Sequence, residues 1–363
     1  MILDRYFARR FAKIFSGIFA VFFGILAFVG LVDQLRRFSD EGATFGQILE
    51  LTLLDIPTEL YEILPLIMII SAITLFLGLA RSSELVVTRA AGRSALRALM
   101  APLGMALFIG ALAVSVMNPI VAGTQRQYEA LESELRGTGS ILSLGASGLW
   151  LRQGDATQQT VIRAGRANLS GTELSQVTFL TFQGGMPVER VEAERASLGD
   201  GAWRLREAKV WPLDTSRTPE SLSRFETQMT LPSTLTADQI RDSFGTPSSI
   251  PIWDLPAFID RLQVAGFSAQ RHQVWLQMEL AQPLFLAAMV MIGAAFTMRH
   301  QRGGRTGLMV MLAILLSFTV YFLRNFAQVL GENGDLPPAL AAWVPLLIAI
   351  GLSAGMLLHL EDG

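Results

Sequence analysis

Three stretches of this chain, residues 14–32, 63–80 and 98–125, contain no Asp, Glu, Lys or Arg, and three more uncharged apolar runs follow at 280–298, 306–323 and 336–358. Nothing else in the sequence restricts the fold as strongly. A helix of 19 residues at ~1.5 Å per residue is about 28 Å long, enough to cross the hydrocarbon of a bilayer. In lipid the backbone must satisfy its own hydrogen bonds, so these runs are read as six transmembrane helices. Composition agrees: 51% of the residues are hydrophobic, with a mean hydropathy of +0.42, a balance soluble domains seldom reach.

The links between the runs set the orientation. Arg5, Arg9, Arg10 and Lys13 precede the first run against the single acid Asp4. Arg81, Arg89, Arg93 and Arg97 follow the second, and Arg299, Arg302 and Arg305 follow the fourth. With six spans these three basic segments share one side, and the positive-inside rule places both termini in the cytoplasm. The apolar run near the N-terminus is too long for a cleavable signal peptide, and no small-residue cleavage pattern follows it. Residues 33–62 read as an acidic link, with Asp33, Asp40, Glu41, Glu50, Asp55, Glu59 and Glu62 against Arg36 and Arg37.

Between spans three and four the period changes. Residues 126–138 continue as a polar helix; beyond Gly137 apolar and polar residues alternate. Leu149 and Leu151 flank Trp150, Val177 and Phe179 flank Thr178, and Trp203 and Leu205 flank Arg204. Turn signals recur at Gly154-Asp155, Gly184-Gly185 and Gly199-Asp200-Gly201. The expected architecture is therefore an α-helical membrane protein with an all-β domain, jelly-roll-like, a sandwich or half-open roll, inserted between spans three and four. Its expected divisions are 1–138 (spans one to three, with a short helix at 81–94), 139–250 (the β-domain) and 251–363 (linker helices and spans four to six). A helix over 254–265 is expected before span four, with Pro256 in its first turn.

The link at 81–97 is the most patterned loop. Leu85, Thr88, Ala91 and Gly92 recur at helical spacing, Ser82 or Ser83 can cap its start, and Gly92 can close it. It reads as an amphipathic helix at the membrane surface: either a basic loop that fixes topology, or a coupling helix that docks on a cytoplasmic partner. Glu84 is its one acid, standing among arginines and suited to single out a cation. The 299–305 link, with Gly303-Gly304, is short and flexible.

Much chemistry is missing. With no cysteine there are no disulfides, thiolate metal sites or thiol nucleophiles. No glycine precedes a lysine, which excludes a Walker phosphate loop, and there is no G-x-S-x-G elbow. His272, His300 and His359 lack ligand spacing. The acids stand in loops and not in the apolar runs, which argues against a proton-relay transporter. A net charge of −2 gives nothing that points to nucleic acid. The chain reads as a transport subunit without its own ATPase; a membrane-anchored scaffold with a binding β-domain is the competing reading, and six spans exceed what an anchor needs. Missing catalytic groups argue against an intramembrane hydrolase.

Four motifs carry a resemblance. Leu3-Asp4-Arg5-Tyr6, Val32-Asp33-Gln34-Leu35-Arg36-Arg37, Arg81-Ser82-Ser83-Glu84-Leu85-Val86-Val87 with Ala91-Gly92, and Gly148-Leu149-Trp150 together resemble the LptF/LptG family of lipopolysaccharide export permeases, over the whole chain. The first two pieces resemble its LptG branch more than the paralogous LptF branch. The resemblance implies a heterodimer with an LptF-like subunit in the bacterial inner membrane, the β-domain in the periplasm. Two copies of an LptB-like ATPase sit below it, with ATP and Mg held there and no cofactor on this chain. Lipopolysaccharide would enter sideways from the outer leaflet, between span one of one subunit and span five of the other. It would then leave over the β-domains to an LptC-like protein and an LptA-like bridge. Glu84, with Arg81, Leu85 and Arg89 around it, would face the ATPase. Arg36 and Arg37 would meet lipid A phosphates, which arginine holds in a fork. The Val29-Gly30-Leu31 level, where a further cation would fit, has none. Arg36 and Arg37 could instead be interfacial arginines, Trp150 could pack the β-domain or meet ligand, and Arg324 could snorkel or belong to the lateral opening.

Overall fold

The computed structural model describes residues 2–38, 43–90, 94–135, 142–145, 148–154, 158–167, 172–199, 201–213, 219–236, 240, 246–264, 268–298 and 306–362. The helices are α1 (Ile2–Arg37), α2 (Phe45–Glu62), α3 (Leu64–Arg81), α4 (Glu84–Ala90), α5 (Ala95–Leu112), α6 (Asn118–Leu135), α7 (Leu255–Val264), α8 (Gln270–Thr297), α9 (Thr306–Asn333) and α10 (Pro338–Asp362). A π-helical turn, Ala113–Met117, joins α5 to α6 without a break. Among the described residues, six helical stretches are long and apolar enough to cross a membrane, where the six runs stand in the sequence. The chain divides into two compact units: Met1–Leu135, Pro247–Leu255 and Gln270–Gly363 in one, Arg136–Thr246 and Pro256–Ala269 in the other.

In the helical unit α8 is the central post. Leu286, Ala288, Val290 and Ala294 are fully buried within a core shared with α3, α5 and α10. Small residues let its neighbours come close, as packing between helices in lipid requires. A Cβ on Gly293 would stand 2.8 Å from that of Ala72 on α3, and one on Gly110 of α5 would stand 2.5 Å from the Pro283 backbone of α8. Phe7 and Phe11 of α1 enter the same core beside Phe76 and Leu79.

The helical unit adds one element to the sequence reading and corrects one expectation. The acidic link at 33–62 contains α2, an 18-residue helix. Thr44 and Gln47 form a reciprocal capping box at its start, with Thr44 N–H donating to Gln47 Oε1 at 2.9 Å. Its apolar face, Ile48, Leu51, Ile56 and Leu60, is buried. It ends at Ile63 because Pro65 opens the next helix, α3. The correction concerns acids in the spans: Glu279 lies inside the long helix α8 and is 2% exposed.

The second unit holds β1 (Leu142–Gly145), β2 (Gly148–Gly154), β3 (Gln158–Ala167), β4 (Glu173–Gln183), β5 (Met186–Gly199), β6 (Ala202–Pro212) and β7 (Arg224–Pro232). They form one antiparallel sheet in sequence order, each strand paired with its neighbours in the chain. Of the expected sandwich or half-open roll, the single sheet forms the roll, with its strands in meander order. Tight hairpins cause it: Gly184 and Gly185 at φ +59 and +81, and Gly201 at φ +72, turn the chain straight back, with no long return for a crossover. The alternation holds, with Val177, Phe179, Trp203 and Leu205 buried and Arg204 and Arg206 exposed. One sheet buries these residues by rolling. Gln153 of β2 donates to Pro232 O of β7 at 3.1 Å and accepts from Trp203 Nε1 at 3.3 Å, although four strands separate β2 from β7 in the pairing order.

Candidate functional site

Each end of α1 carries a polar cluster. At the start, Arg10 and Tyr6 stand one turn apart and point at the link after α3. Arg10 Nη1 donates to Glu84 Oε1 at 2.7 Å and to Tyr6 Oη at 2.7 Å, and Tyr6 Oη donates to Glu84 Oε2 at 3.1 Å. Ser82 Oγ donates to Glu84 Oε1 at 2.7 Å. Ser82 thus closes α3 rather than capping the helix that follows, and Ser83 takes φ +59 to turn the chain into α4. Burial pushes the Glu84 carboxyl up, but the hydrogen bonds from Arg10, Ser82 and Tyr6, with the Arg10 charge, outweigh it and hold the group below the usual carboxylate range. The Arg10 and Glu84 side chains remain 30% and 33% exposed, so this clasp is open to a partner.

Within the chain Glu84 is already paired with Arg10. Arg81 is the last residue of α3 and is exposed. Leu85 and Arg89 lie in α4, a seven-residue helix; their side chains, together with Ala91, Gly92, Arg93 and the 299–305 link, are outside the described residues. Thr88 is buried and donates to Glu84 O at 2.7 Å, which fastens α4 to its own start.

At the far end of α1, Arg36 and Arg37 occupy the last turn, both exposed, where cations suit the helix dipole. Arg37 donates to Tyr128 Oη of α6 at 3.4 Å and pairs with Asp33 at 3.3 Å. The buried Gln34 donates to the same hydroxyl at 3.0 Å. Asp55 of α2 lies in this cluster; burial raises its carboxyl, with Arg37 opposing. Arg10 and Arg37 are 27 positions apart on one helix, about 40 Å, the thickness of a bilayer with its headgroups.

A cavity of about 210 Å³ opens between the α2–α3 junction and α9, lined by Ile63, Leu66, Ile69, Met289, Phe318 and Tyr321, with Glu62 and Ser317. Its wall is almost wholly apolar, suited to hydrocarbon. In the β-unit, Trp150 is 37% exposed, with the Arg163 guanidinium 5.7 Å from the centre of its ring. It stands on the outer face and not in the core.

A sequence profile of the lipopolysaccharide export system permease LptF/LptG family matches residues 5–359. The chain belongs to the LptF/LptG family. It is 24% identical over 362 residues to the lipopolysaccharide export system permease protein LptG of Haemophilus influenzae, covering 96% of each chain. It is 24% identical over 351 residues to the protein of the same name from Escherichia coli K12, covering 95% of this chain and 94% of that one.

In this LptF/LptG family member, three site residues escaped the sequence reading. Arg10 was counted only as a topogenic charge; its helical spacing of four from Tyr6 was the available signal. Gln34 and Tyr128 stand 94 positions apart and meet only in three dimensions. Two of the motifs that carried the family resemblance, around Tyr6 and around Glu84, form one clasp.

Proposed function

We propose that this chain is the LptG-type permease subunit of an exporter that takes lipopolysaccharide from the outer leaflet of the inner membrane. It pairs with an LptF-like subunit and is driven by an LptB-like ATPase dimer that holds the ATP and Mg. The termini and α4 face the cytoplasm, and the β-unit lies in the periplasm, where it hands lipid to LptC-like and LptA-like partners. The relatives' names support this, as does the basic character of the N-terminal segment and the link after α3. The observation that carries the mechanism is the geometry of α1: one continuous helix joins the Glu84 clasp at one end to Arg36 and Arg37 at the other. Push on α4 from below moves α1 through Arg10 and Tyr6. The moving helix shifts the arginine pair, which binds the phosphates of the lipid at the opposite face. The chain supplies positions and charges; bond-breaking chemistry stays with the ATPase.

Glu84→Arg and Arg10→Glu variants, singly and together, test this by ATPase co-purification and lipopolysaccharide release from proteoliposomes. Each single variant places like charges together, and export is expected to fall at least tenfold, while the swapped pair restores part of it. Wild-type assembly and export by Glu84→Arg would falsify the coupling role. Complementation of cells depleted of LptG, and separately of LptF, decides the branch: rescue of the second alone overturns the LptG assignment.

A further inference from the structure

The helical unit contains a third polar assembly, within its bundle, that the reading above does not use. Glu279 of α8 is 2% exposed, Gln282 3% and Tyr61 of α2 5%. Tyr61 Oη donates to Glu279 Oε2. Asn118 at the start of α6 is 1% exposed; its Oδ1 accepts from Ile252 N–H at 2.9 Å, which leaves its amide to donate to the Glu279 carboxylate. Arg324 of α9 brings a positive charge that is felt at this carboxylate, while its hydrogen bond goes to the next turn of α8. Arg324 Nη2 donates to Gln282 Oε1 at 2.9 Å, and its guanidinium lies 4.6 Å from the centre of the Phe285 ring. Gln282 and Phe285, three residues apart, receive this cation on one face of α8, and Glu279 precedes them by one turn on the same face.

Placement gives this assembly its meaning. Tyr61 precedes Glu62, where the first wall of the 210 Å³ cavity begins. Arg324 lies one turn beyond Tyr321, where the second wall ends. Both walls are therefore tied to one face of α8, the first through Tyr61 to Glu279 and the second through Arg324 to Gln282. Charged groups at membrane depth are costly alone and persist when paired. A tie of this kind holds α9, otherwise loosely covered, at a set distance from the α2–α3 junction.

We propose that Glu279 and Arg324 are positioning residues for transport: together they anchor α9 and the α2–α3 junction to α8 and so set the width of the apolar cavity between them. The transport part rests on the permease reading; the anchoring part does not. Since the chain has no cysteine, spin labels placed at Leu66→Cys and Phe318→Cys report the cavity width in the intact assembly in lipid nanodiscs. Wild-type protein is expected to give one narrow distance distribution. E279Q takes the charged acceptor from Tyr61 and R324Q takes the donor from Gln282, and each leaves the opposite charge uncompensated in the bundle, so each is expected to broaden the distribution and to lower lipopolysaccharide release about tenfold at unchanged ATPase co-purification. The double variant E279Q/R324Q carries no net buried charge; the distribution narrows again and at least half of the lost rate returns. Y61F keeps both charges and cuts only the tie to α2, and broadens the distribution on its own. Single variants with wild-type distances and rates overturn the proposal, as does a double variant no better than the worse single. If wild-type protein releases no lipopolysaccharide while the distances change as stated, the anchor stands and the assigned cargo is wrong.

Discussion

The helices α1 and α8 are both long, apolar and membrane-crossing, yet they are buried in opposite degree. None of the apolar middle of α1 is buried within the chain, whereas most of α8 is. Apolarity does not separate them, because lipid tails are as hydrophobic as a leucine and exert no pressure to bury it. Side-chain size and polarity do. Val21, Ile25, Phe28 and Val29 of α1 stand exposed, while α8 offers Ala287, Ala288, Gly293, Ala294 and Ala295 to its neighbours, with Glu279 and Gln282 where they are enclosed. A helix that others must approach is built from small residues and enclosed polar ones. A helix that faces lipid or another subunit is built from large apolar ones.

The same substitution on the two helices is the hardest test of this contrast. Phe285→Ala on α8 removes a ring that is 1% exposed and leaves a cavity under Arg324. With no water-to-core transfer term in the membrane, the loss is expected at the lower end for such changes, about 3 kcal/mol. Phe28→Ala on α1, where the ring is 70% exposed, is expected to cost under about 0.5 kcal/mol. Thermal unfolding in detergent reads both; equal shifts would break the comparison. Gly293→Ala comes next, since its Cβ meets that of Ala72 at 2.8 Å; a loss of about 1–3 kcal/mol is expected. Gly24→Ala on α1, where a Cβ meets nothing within 4 Å, is expected to be neutral or slightly stabilising.

Function reverses the order of the two helices. Replacing both Arg36 and Arg37 at the end of α1 with Glu is expected to leave folding intact and weaken binding of a bis-phosphorylated glycolipid by about 1.5–3 kcal/mol per lost contact, read by photocrosslinking. Unchanged crosslinking would return the pair to a plain interfacial anchor. The smallest effect belongs to the clasp at the other end. Its lowered Glu84 carboxyl contributes stability above the usual carboxylate range, and that contribution disappears as pH falls through the lowered value. Because both side chains are about one-third exposed, a few tenths of a kcal/mol is the expected size. Melting curves of wild type and Arg10→Gln should differ at pH 7 and converge in acid below the usual carboxylate range. A gap that persists there would mean that Arg10 acts through packing and not through Glu84.

How far the sequence alone carries can be judged at particular residues. The six spans were legible because a bilayer imposes one length and one composition on anything that crosses it. The strands of the β-unit were legible because Trp203 and Leu205 alternate with Arg204 and Arg206, and alternation is all a half-buried strand needs. The helix α2 was signalled by Thr44 and Gln47, but its charged residues hid it. Glu279 was missed because it stands one residue before an uncharged run, in the part of the helix read as leading into the span, and only packing shows that it is enclosed.

The sequence by itself determined which segments cross the membrane, which link is basic, where the period changes from helix to strand, and the family. Each of these depends on residues near in the chain and on the solvent they meet. Tertiary structure alone decided that Arg10 is the cation of Glu84, that Tyr61, Glu279 and Arg324 share one assembly, and that the sheet is a rolled meander. Those pairings join residues 74, 218 and 42 positions apart (10 to 84, 61 to 279, 282 to 324). A charge can choose its partner only after packing has brought the candidates within hydrogen-bonding reach and removed the water that would otherwise serve both.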